Sequence, residues 1–263
     1  MLKKLRLAVL TQEDSFVIPQ NIKLIGDLET TNLVTVVKIN STGSLENKKM
    51  LFIRGFGFLQ VFKLGLLSAI NRSFNYIDFL SFYRLGFLKS LKSVSVKLNA
   101  DYKTVNDPNV SSFHDWLKTK NLDLIVSFSA PCIFNRELLN LPRYGCINLH
   151  CSTLPKYAGL LPSFWTIYEK SETIGATVHK MDDKIDNGAI LGQVTIPMPE
   201  RPSMFKVIRQ TKQVGGYLMV SVINEIFCGN VTEQLNKISS EHYFSWPTIE
   251  HIKEFRRNGG RLI

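Results

Sequence analysis

The sequence predicts an α/β fold in which a mostly parallel sheet is flanked by helices. Strand-like segments are continuous apolar runs, as in strands that are buried on both faces, and they alternate along the chain with helix-like segments. The 263 residues suffice for one large domain, or for a main domain with a small appendage. Such sheets bind ligands outside the carboxyl ends of their strands, so polar residues at strand ends become the candidates for function.

Composition narrows the class of protein further. Hydrophobic residues make up 44% of the chain and charged residues 21%, which is typical of a folded globular protein. The four cysteines form no CxxC pair, so we expect reduced, mostly buried thiols. Basic residues near the start precede an apolar run that Arg6 interrupts, and we interpret this run as a first strand rather than a signal peptide. We therefore expect a cytoplasmic protein.

The first elements resemble a βαβ unit. Residues 5–10 and 32–39 are apolar enough for parallel strands. Residues 18–28 suit a helix between them, with Pro19 in its first turn, where a missing N–H is harmless. Thr42, Gly43 and Ser44 then break the chain.

The net charge of +10 is concentrated in residues 46–97, which contain nine lysines and arginines against two acidic residues. A basic surface of this kind attracts phosphates, nucleic acid or acidic lipid headgroups. Residues 50–91 are also rich in Phe and Leu and predict helices that the cations interrupt too often to span a bilayer. Contact with a membrane surface is one interpretation. The alternative, which we favour, is a packed insertion with solvated cations.

The following elements continue the alternation. Residues 93–98 predict a short strand, residues 106–109 a turn, and Ser111 or Ser112 the N-cap of a helix that runs through position 120. The remaining segments predict, in order, a strand at 122–128, a short helix or turn at 135–141, a strand at 144–150, a helix at 164–169, a strand at 174–181 and its hairpin partner at 189–196.

Two polar residues lie together at the end of the strand at 144–150. Residues two apart in a strand share a face, so Asn148 and His150 should project the same way and Cys151 should point away. Cys146, His150 and Cys151 are therefore a poor metal cluster, and we expect no metal. Asp186 precedes Asn187 and Gly188, which predict the tight turn of the hairpin and would present the carboxylate at a rim.

These residues fall within sequence words that resemble the folate-dependent formyltransferases, which include glycinamide ribonucleotide, methionyl-tRNA and nucleotide-linked amino-sugar formyltransferases. The resemblance covers roughly residues 95–225, and its words keep the order and spacing of the family. The shared words are Asn148-Leu149-His150, Ser152-Thr153-Leu154-Pro155-Lys156-Tyr157-Ala158-Gly159, Pro162 with Trp165, Gly175-Ala176-Thr177-Val178-His179, and Asp186-Asn187-Gly188.

The resemblance implies a Rossmann-like fold, 10-formyltetrahydrofolate as the formyl donor, and Asn148, His150 and Asp186 as the catalytic residues. It further implies a catalytic domain over residues 1–228, with the basic insertion at about 46–97, and a short C-terminal extension over residues 229–263. We expect Ser152 and His179 to hold the catalytic residues in position without taking part in the reaction itself. The residues expected to contact the folate are Phe128, Ser129, Ala130, Ile133 and Asp183.

The reaction explains why these residue types belong together. An amine that attacks a formyl carbon produces an oxyanion and a positive nitrogen, so the site needs hydrogen-bond donors and a proton acceptor. Asn148 can donate to the formyl oxygen, His150 can stabilise the oxyanion or move protons, and Asp186 can orient His150 and accept a proton through water. His114, His242 and His251 lack such a context, and we interpret them as surface residues.

The acceptor amine is less constrained by the sequence. Residues 11–16 match neither the phosphate loop of the glycinamide ribonucleotide enzymes nor the turn of the tRNA enzymes, and the residues after 225 resemble the tails of small sugar-modifying members. We expect a nucleotide-linked amino-dideoxysugar as acceptor, with methionyl-tRNA as the first alternative. A second alternative is an inactive member of the fold that binds RNA or a membrane through its basic insertion. A homodimer is compatible with either.

Overall fold

The computed structural model describes residues 3–40 and 45–263. Their main element is a seven-stranded sheet with the order β3-β2-β1-β4-β5-β7-β8. Its strands are β1 (Leu5–Thr11), β2 (Thr31–Ile39), β3 (Asp101–Val105), β4 (Leu124–Ser127), β5 (Cys146–His150), β7 (Thr173–Lys180) and β8 (Ile190–Pro197). A second, two-stranded sheet pairs β6 (Ala158–Gly159) with β9 (Tyr243–Phe244).

Nine α-helices accompany the sheets within the described residues. They are α1 (Ile18–Gly26), α2 (Leu45–Phe56), α3 (Phe58–Leu80), α4 (Leu91–Lys97), α5 (Ser111–Lys118), α6 (Arg136–Leu139), α7 (Pro162–Tyr168), α8 (Met204–Cys228) and α9 (Ile249–Arg257). Residues Ser240–His242 add one turn of 3-10 helix.

The sheet is mostly parallel, as predicted. Strands β1 to β5 run parallel to one another, whereas β7 is antiparallel to β5 and β8 is antiparallel to β7. Separate hydrophobic clusters cover its two faces. One contains Ile22 of α1 and Met219 of α8, and the other contains Phe113 of α5 and Leu138 of α6. The architecture confirms the predicted α/β class.

The residues after α8 pack onto the rest of the chain. Ile252 and Phe255 of α9 are buried in one cluster with Phe56 of α2, Phe164 of α7 and Met204 of α8. The rings of Phe164 and Phe255 stack with a centroid distance of 4.8 Å. The C-terminal residues therefore share a core with the elements that precede them.

Residues 93–98 are not a strand, contrary to prediction. They lie in α4, whose N-cap Ser90 accepts a hydrogen bond from the N–H of Ser93 while the Ser93 hydroxyl accepts one from the N–H of Ser90. Leu91 and Val94 are buried and Leu98 packs against the same cluster, and this spacing belongs to a helix. The reciprocal serine cap outweighs the local apolar-polar alternation. The strand of this region is β3, a few residues later.

Two smaller predictions about turns and caps are also wrong. Helix α5 begins at Ser111 and has no side-chain cap, because its N-cap residue is Val110, which carries no hydrogen-bond acceptor in its side chain. Residues 181–189 form a longer connection than a two-residue hairpin, and its left-handed residue is Asp186, with a φ of 54°. Gly188 is required by proximity instead, since a Cβ there would lie 2.0 Å from the Lys180 carbonyl oxygen. The predicted break at residues 42–44 lies outside the described residues.

Candidate active site

The carboxyl end of β5 carries the first two candidate residues. Asn148 and His150 project to one side of this strand, and Leu149 between them packs into the core on the other side. Strand β7 is the antiparallel neighbour, with His179 directly opposite Asn148. The register of two strands therefore brings an amide and two imidazole rings into one place.

Asp186 reaches this place from the loop between β7 and β8. Its Oδ2 atom lies 3.3 Å from Nδ1 of His150, and its Oδ1 atom lies 3.6 Å from Nε2 of His179. The backbone N–H of Gly159 donates a hydrogen bond of 2.8 Å to Oδ2. The carboxylate side chain is only 9% exposed, so these contacts compensate for much of its lost hydration. Two of the three residues predicted to act together, His150 and Asp186, are thus in contact, and His179 lies against the same carboxylate.

The partners of His150 define its protonation state. Its Nε2 atom donates to the carbonyl oxygen of Tyr157 at 2.9 Å, and its Nδ1 atom faces the Asp186 carboxylate. Both partners are acceptors, so only an imidazolium with two N–H groups satisfies both. Burial opposes the charged ring, but the Asp186 carboxylate and the Tyr157 carbonyl together raise the pKa of His150 above its ordinary value.

The pKa of Asp186 moves in the opposite direction. Burial alone would raise it, but the charge of the adjoining His150 ring and its hydrogen bond hold the pKa of this carboxyl well below its usual range. Asp186 is therefore ionised across the physiological pH range. The site thus places a buried carboxylate in contact with a ring whose charged form it favours.

His179 connects the amide of Asn148 to this pair. Its Nδ1 atom donates to the Lys180 carbonyl oxygen at 2.7 Å, so in the neutral ring Nε2 is an acceptor. The Nδ2 atom of Asn148 lies 3.2 Å from that Nε2 and donates to it. An amide nitrogen carries two N–H groups, and the second remains for a ligand in the cleft. His179 thus fixes the orientation of Asn148.

Ser152 supports the site without touching the three residues. Its hydroxyl donates to the carbonyl oxygen of Lys156 at 2.8 Å, and its own carbonyl oxygen accepts from the Thr177 hydroxyl at 2.7 Å. These bonds fix the conformation of the loop after β5 and attach it to β7. That loop carries the carbonyl of Tyr157, which is the hydrogen-bond acceptor for His150.

A cleft with a volume of about 550 Å³ opens beside these residues. Asn148, His150, Asp186 and His179 line one part of it, and Ser129, Ala130 and Ile133 line another. Lys184, Lys212 and Trp246 also border the cleft. It combines apolar side chains with a few convergent polar groups, as small-molecule sites do.

Two residues predicted to contact a folate, Phe128 and Asp183, do not line this cleft. The Phe128 side chain is 1% exposed within the core, and its carbonyl oxygen accepts a hydrogen bond of 2.6 Å from the Thr11 hydroxyl. Asp183 forms an exposed ion pair with Arg136, 2.7 Å long, and borders a different cleft of about 700 Å³. That larger cleft contains none of Asn148, His150 and Asp186. The Phe128 side chain therefore faces the core, and Asp183 pairs with Arg136 at the surface.

Asn236 is a part of the site that sequence reasoning missed. Its Nδ2 atom donates to the carbonyl oxygens of Asp186, at 2.7 Å, and of Gly188, at 3.2 Å, and thereby fixes the loop that carries the carboxylate. No word near position 236 indicated this role, because the contact joins residues distant in the chain. Gly159 does belong to a quoted word, yet its hydrogen bond to Asp186 depends on a fold that the word does not show.

Histidines and cysteines away from the cleft correct two further expectations. His114 is buried rather than exposed, because its Nε2 atom donates to the Pro108 carbonyl oxygen at 3.1 Å. All four cysteines are free thiols, but Cys146 alone is fully buried and Cys228 is exposed. Within residues 3–40 and 45–263, no group of three or more His, Cys, Asp or Glu side chains could hold a metal ion.

Comparison with known proteins places this site in a family. The sequence model described as "Formyl transferase" matches residues 92–223, a span that contains Asn148, His150 and Asp186. A methionyl-tRNA formyltransferase from Lachnospira eligens is 33% identical over 121 residues, which make up 46% of this chain and 38% of that protein. The chain thus matches well under half the length of this curated relative.

Solved structures share the fold over most of the chain. Glycinamide ribonucleotide transformylase 1 from Symbiobacterium toebii superimposes with a TM-score of 0.62 at 14% identity, covering 90% of this chain and 95% of that one. A 4-N formyltransferase from Francisella tularensis gives a TM-score of 0.57 at 19% identity, covering 95% and 86%. At these identities the likeness establishes the fold, and it extends well beyond the matched span.

Proposed function

The chain belongs to the formyl transferase family, and we propose that it transfers a formyl group from 10-formyltetrahydrofolate to the primary amine of a nucleotide-linked amino-dideoxysugar. One observation carries the proposal. The buried carboxylate of Asp186 contacts the rings of His150 and His179, and His179 orients the Asn148 amide at the same cleft. The arrangement supplies the donor, the cation and the carboxylate that formyl transfer needs.

Asn148 acts on the formyl oxygen in this proposal. As the acceptor nitrogen forms its bond to the formyl carbon, the carbonyl electron pair moves to the oxygen and creates an oxyanion. The second N–H of Asn148 donates to that oxygen. His150 already uses both N–H groups, on Tyr157 and Asp186, so its positive charge stabilises the oxyanion through space.

Asp186 acts on the amine. The attacking nitrogen becomes positive, and an ionised carboxylate beside it stabilises that charge. Because the pKa of Asp186 is low, the carboxylate attracts the ammonium without retaining its proton, which passes through water to the leaving nitrogen of the folate. Collapse of the oxyanion then breaks the bond between carbon and that nitrogen, and the formamide is released.

The formyl donor, 10-formyltetrahydrofolate, is assigned to the part of the cleft that residues 129–133 form. This segment follows β4, and its Ser129 adopts a left-handed φ of 71°. Ala130 and Ile133 offer apolar contacts there, and backbone groups offer hydrogen bonds to a flat polar heterocycle. We assign this part of the cleft to the pteridine ring. Bound in this way, the folate supplies the activated formyl carbon.

Charge and aromatic character at the cleft support a nucleotide-linked acceptor. Lys184 and Lys212 both border it, although Lys212 already pairs with the half-buried Asp14 at 2.6 Å. Lysine binds phosphate as a point charge, and the face of an aromatic residue such as Trp246 suits a base. A nucleoside diphosphate presents both chemical groups to the same cleft.

Methionyl-tRNA is the second candidate acceptor, because the methionyl-tRNA formyltransferase of Lachnospira eligens is 33% identical over the span that it shares with this chain. A phosphate-rich acceptor is also compatible with the net charge of +10. The two candidates require the same chemistry at Asn148, His150 and Asp186.

A panel of acceptors tests the proposal. The protein is incubated with 10-formyltetrahydrofolate and, separately, with nucleotide-linked 4-amino-4,6-dideoxysugars, glycinamide ribonucleotide or methionyl-tRNA, and products are identified by mass spectrometry. We expect formylation of an amino sugar, with a large loss of rate in Asn148→Ala. If only methionyl-tRNA is formylated, the proposed amino-sugar acceptor is wrong, but the proposed roles of Asn148, His150 and Asp186 are unaffected. No formylation of any acceptor would contradict the proposal.

A further inference from the structure

Helix α3 turns polar side chains toward the protein. The side-chain oxygen of Gln60 accepts a hydrogen bond of 2.6 Å from the backbone N–H of Leu262, and Asn71 donates one of 3.1 Å to the carbonyl oxygen of Ser15. Asp78 is completely buried, and its carboxylate accepts two backbone N–H groups from the turn after the helix. These polar side chains face inward together with Val61 and Leu64, which pack against a core cluster, so the inner side of α3 is less apolar than that of an ordinary surface helix.

Large apolar side chains occupy the solvent side of the same helix. We call the exposed apolar residues between positions 58 and 85 the outer face. Its most exposed members are Phe58 at 72%, Leu59 at 64% and Phe82 at 80%. Phe62, Leu66 and Ile70 continue it along the helix. Soluble monomers seldom expose a contiguous apolar surface of this length, so the outer face indicates a contact.

The charges around the outer face indicate the type of partner. Along residues 50–97, every exposed charged side chain is a cation, because the single acidic residue of that range, Asp78, is buried. The exposed cations are Arg54, Lys63, Arg72, Arg84, Lys92 and Lys97. A second copy docked through this face would bring like charges together without an anion between them. A surface rich in anions complements it.

The outer face does not come from a membrane-spanning helix. Among the helices that the structure describes, none is long and apolar enough to cross a bilayer. Lys63 and Arg72 interrupt α3 at exposed positions, and long cationic side chains of this kind extend to headgroups while their stems remain in apolar surroundings. Apolar aromatic and aliphatic residues flanked by cations are the composition of a helix that lies in the interface plane.

We propose that α3 docks this protein on the surface of an anionic lipid bilayer, with its outer face between headgroups and acyl chains. The docked helix lies close to the active site in the fold. Asn71 of α3 bonds to Ser15, and Gln12 of the same loop after β1 borders the catalytic cleft. Helix α3 thus contacts the loop that borders the cleft, whatever acceptor the cleft takes.

Vesicle flotation of the full chain tests the docking. Vesicles of phosphatidylcholine with about one-third phosphatidylglycerol are compared with vesicles of phosphatidylcholine alone, at salt near 0.1 M, where the screening length is about 10 Å. We expect binding at least about tenfold tighter to the anionic vesicles, since each cation near the surface contributes on the order of fivefold. Higher salt should weaken it.

Two variants separate the apolar and the cationic parts of the surface. Leu59→Gln, Phe62→Gln, Leu66→Gln and Ile70→Gln, combined, keep good helix formers at exposed positions and should abolish flotation. Lys63→Gln with Arg72→Gln should remove most of the preference for anionic vesicles. The matched control is Leu235→Gln with Tyr217→Gln, which removes two exposed apolar side chains outside the outer face, 77% and 67% exposed, and should float like the wild type.

Three results would overturn the docking. The first is no flotation of the wild type, and the second is equal binding to both kinds of vesicle. The third is a wild-type dimer in light scattering that the fourfold variant dissociates, without any binding to vesicles, which would assign the outer face to a second copy. Circular dichroism and thermal unfolding establish that each variant folds. If the fourfold variant does not fold, the variant Lys63→Gln with Arg72→Gln decides the outcome.

Discussion

The Nδ1 atom of His150 lies 3.3 Å from the Oδ2 atom of Asp186, and the opposite ring nitrogen donates to the Tyr157 carbonyl oxygen. This geometry favours the charged form of the His150 ring beside an ionised carboxylate in a buried environment. The pair is therefore an electrostatic unit whose members depend on each other.

Replacing the carboxylate should lower the pKa of His150. Asp186→Asn removes the charge that raises this pKa and leaves the opposing effect of burial. NMR titration of the His150 ring measures the change. Asp183→Asn is the matched control, because Asp183 is an exposed carboxylate paired with Arg136 outside the cleft. A His150 ring that titrates identically in Asp186→Asn and the wild type would refute the pairing.

The same pair should make stability depend on pH. The pKa of His150 is raised in the folded protein. Its contribution to the free energy of unfolding is therefore complete below an ordinary histidine pKa of about 6.5, and it is lost as the pH rises through the raised pKa. The folded pKa of Asp186 is lowered, so its contribution is present above about 3.9 and is lost as pH falls through the lowered value. Urea unfolding of wild type and Asp186→Asn should therefore differ most between these two pH values. A difference that is flat from pH 4 to 9, or largest at the alkaline end, would contradict this expectation.

Gly159→Ala should destabilise the protein and slow the reaction. Gly159 has a φ of +96°, and an added Cβ would lie 2.3 Å from the Phe244 carbonyl oxygen. We expect a loss of about 1–3 kcal/mol in the free energy of unfolding, together with a weaker N–H bond to Asp186. Gly65→Ala is the control, since a Cβ there meets nothing within 4 Å in a helix and should be neutral or stabilising. Equal unfolding free energies for the two variants would argue against the role of Gly159.

Asn236→Ala should lower the catalytic rate although Asn236 does not touch the proposed substrates. The change leaves the carbonyl oxygens of Asp186 and Gly188 without this donor, at a cost of about 1–3 kcal/mol of stability. We expect kcat to fall and KM for the folate to change little, because the loop that carries the carboxylate loosens. Asn230→Ala, at an exposed position, is the comparison. An unchanged kcat would show that Asn236 does not position Asp186.

Ser90→Ala should destabilise the protein by about 1 kcal/mol without affecting the chemistry. Ser90 is the N-cap of α4, and its hydroxyl accepts from the Ser93 N–H at 3.1 Å. Chemical denaturation measures the loss, and Ser112→Ala, at an exposed serine, should lose much less. No loss in Ser90→Ala would indicate that α4 is stabilised by packing alone.

The same serine shows where sequence reasoning reached its limit for the fold. Continuous apolar runs such as β1 and β4 predicted the parallel sheet correctly, because burial on both faces imposes that composition. Residues 93–98 alternate like a strand, yet a reciprocal cap three residues apart starts a helix there. A pattern of period two is weak when a cap competes with it over so few residues.

For the site, strand alternation predicted that Asn148 and His150 share a face, and the sequence words indicated Asp186. The sequence did not predict that the Tyr157 carbonyl oxygen accepts a hydrogen bond from Nε2 of His150. Nor did it predict that Asn236 binds the loop that carries Asp186, because both contacts depend on tertiary structure. Asp183 was expected at the folate and instead pairs with Arg136. The side chains of adjacent loop residues point in different directions, and the spacing of residues in the sequence does not show which side chain faces the cleft.

Single-turnover formyl transfer with Asp186→Asn tests the central claim most directly. Wild type, Asp186→Asn and the control Asp183→Asn are each mixed with 10-formyltetrahydrofolate and the accepted amine, and binding of a non-transferring folate analogue is measured by calorimetry. We expect Asp186→Asn to lose about 10²–10⁴-fold in rate while folate affinity stays within a few-fold, and Asp183→Asn to remain near wild type. Formyl transfer by Asp186→Asn at close to the wild-type rate would contradict the assignment of this site.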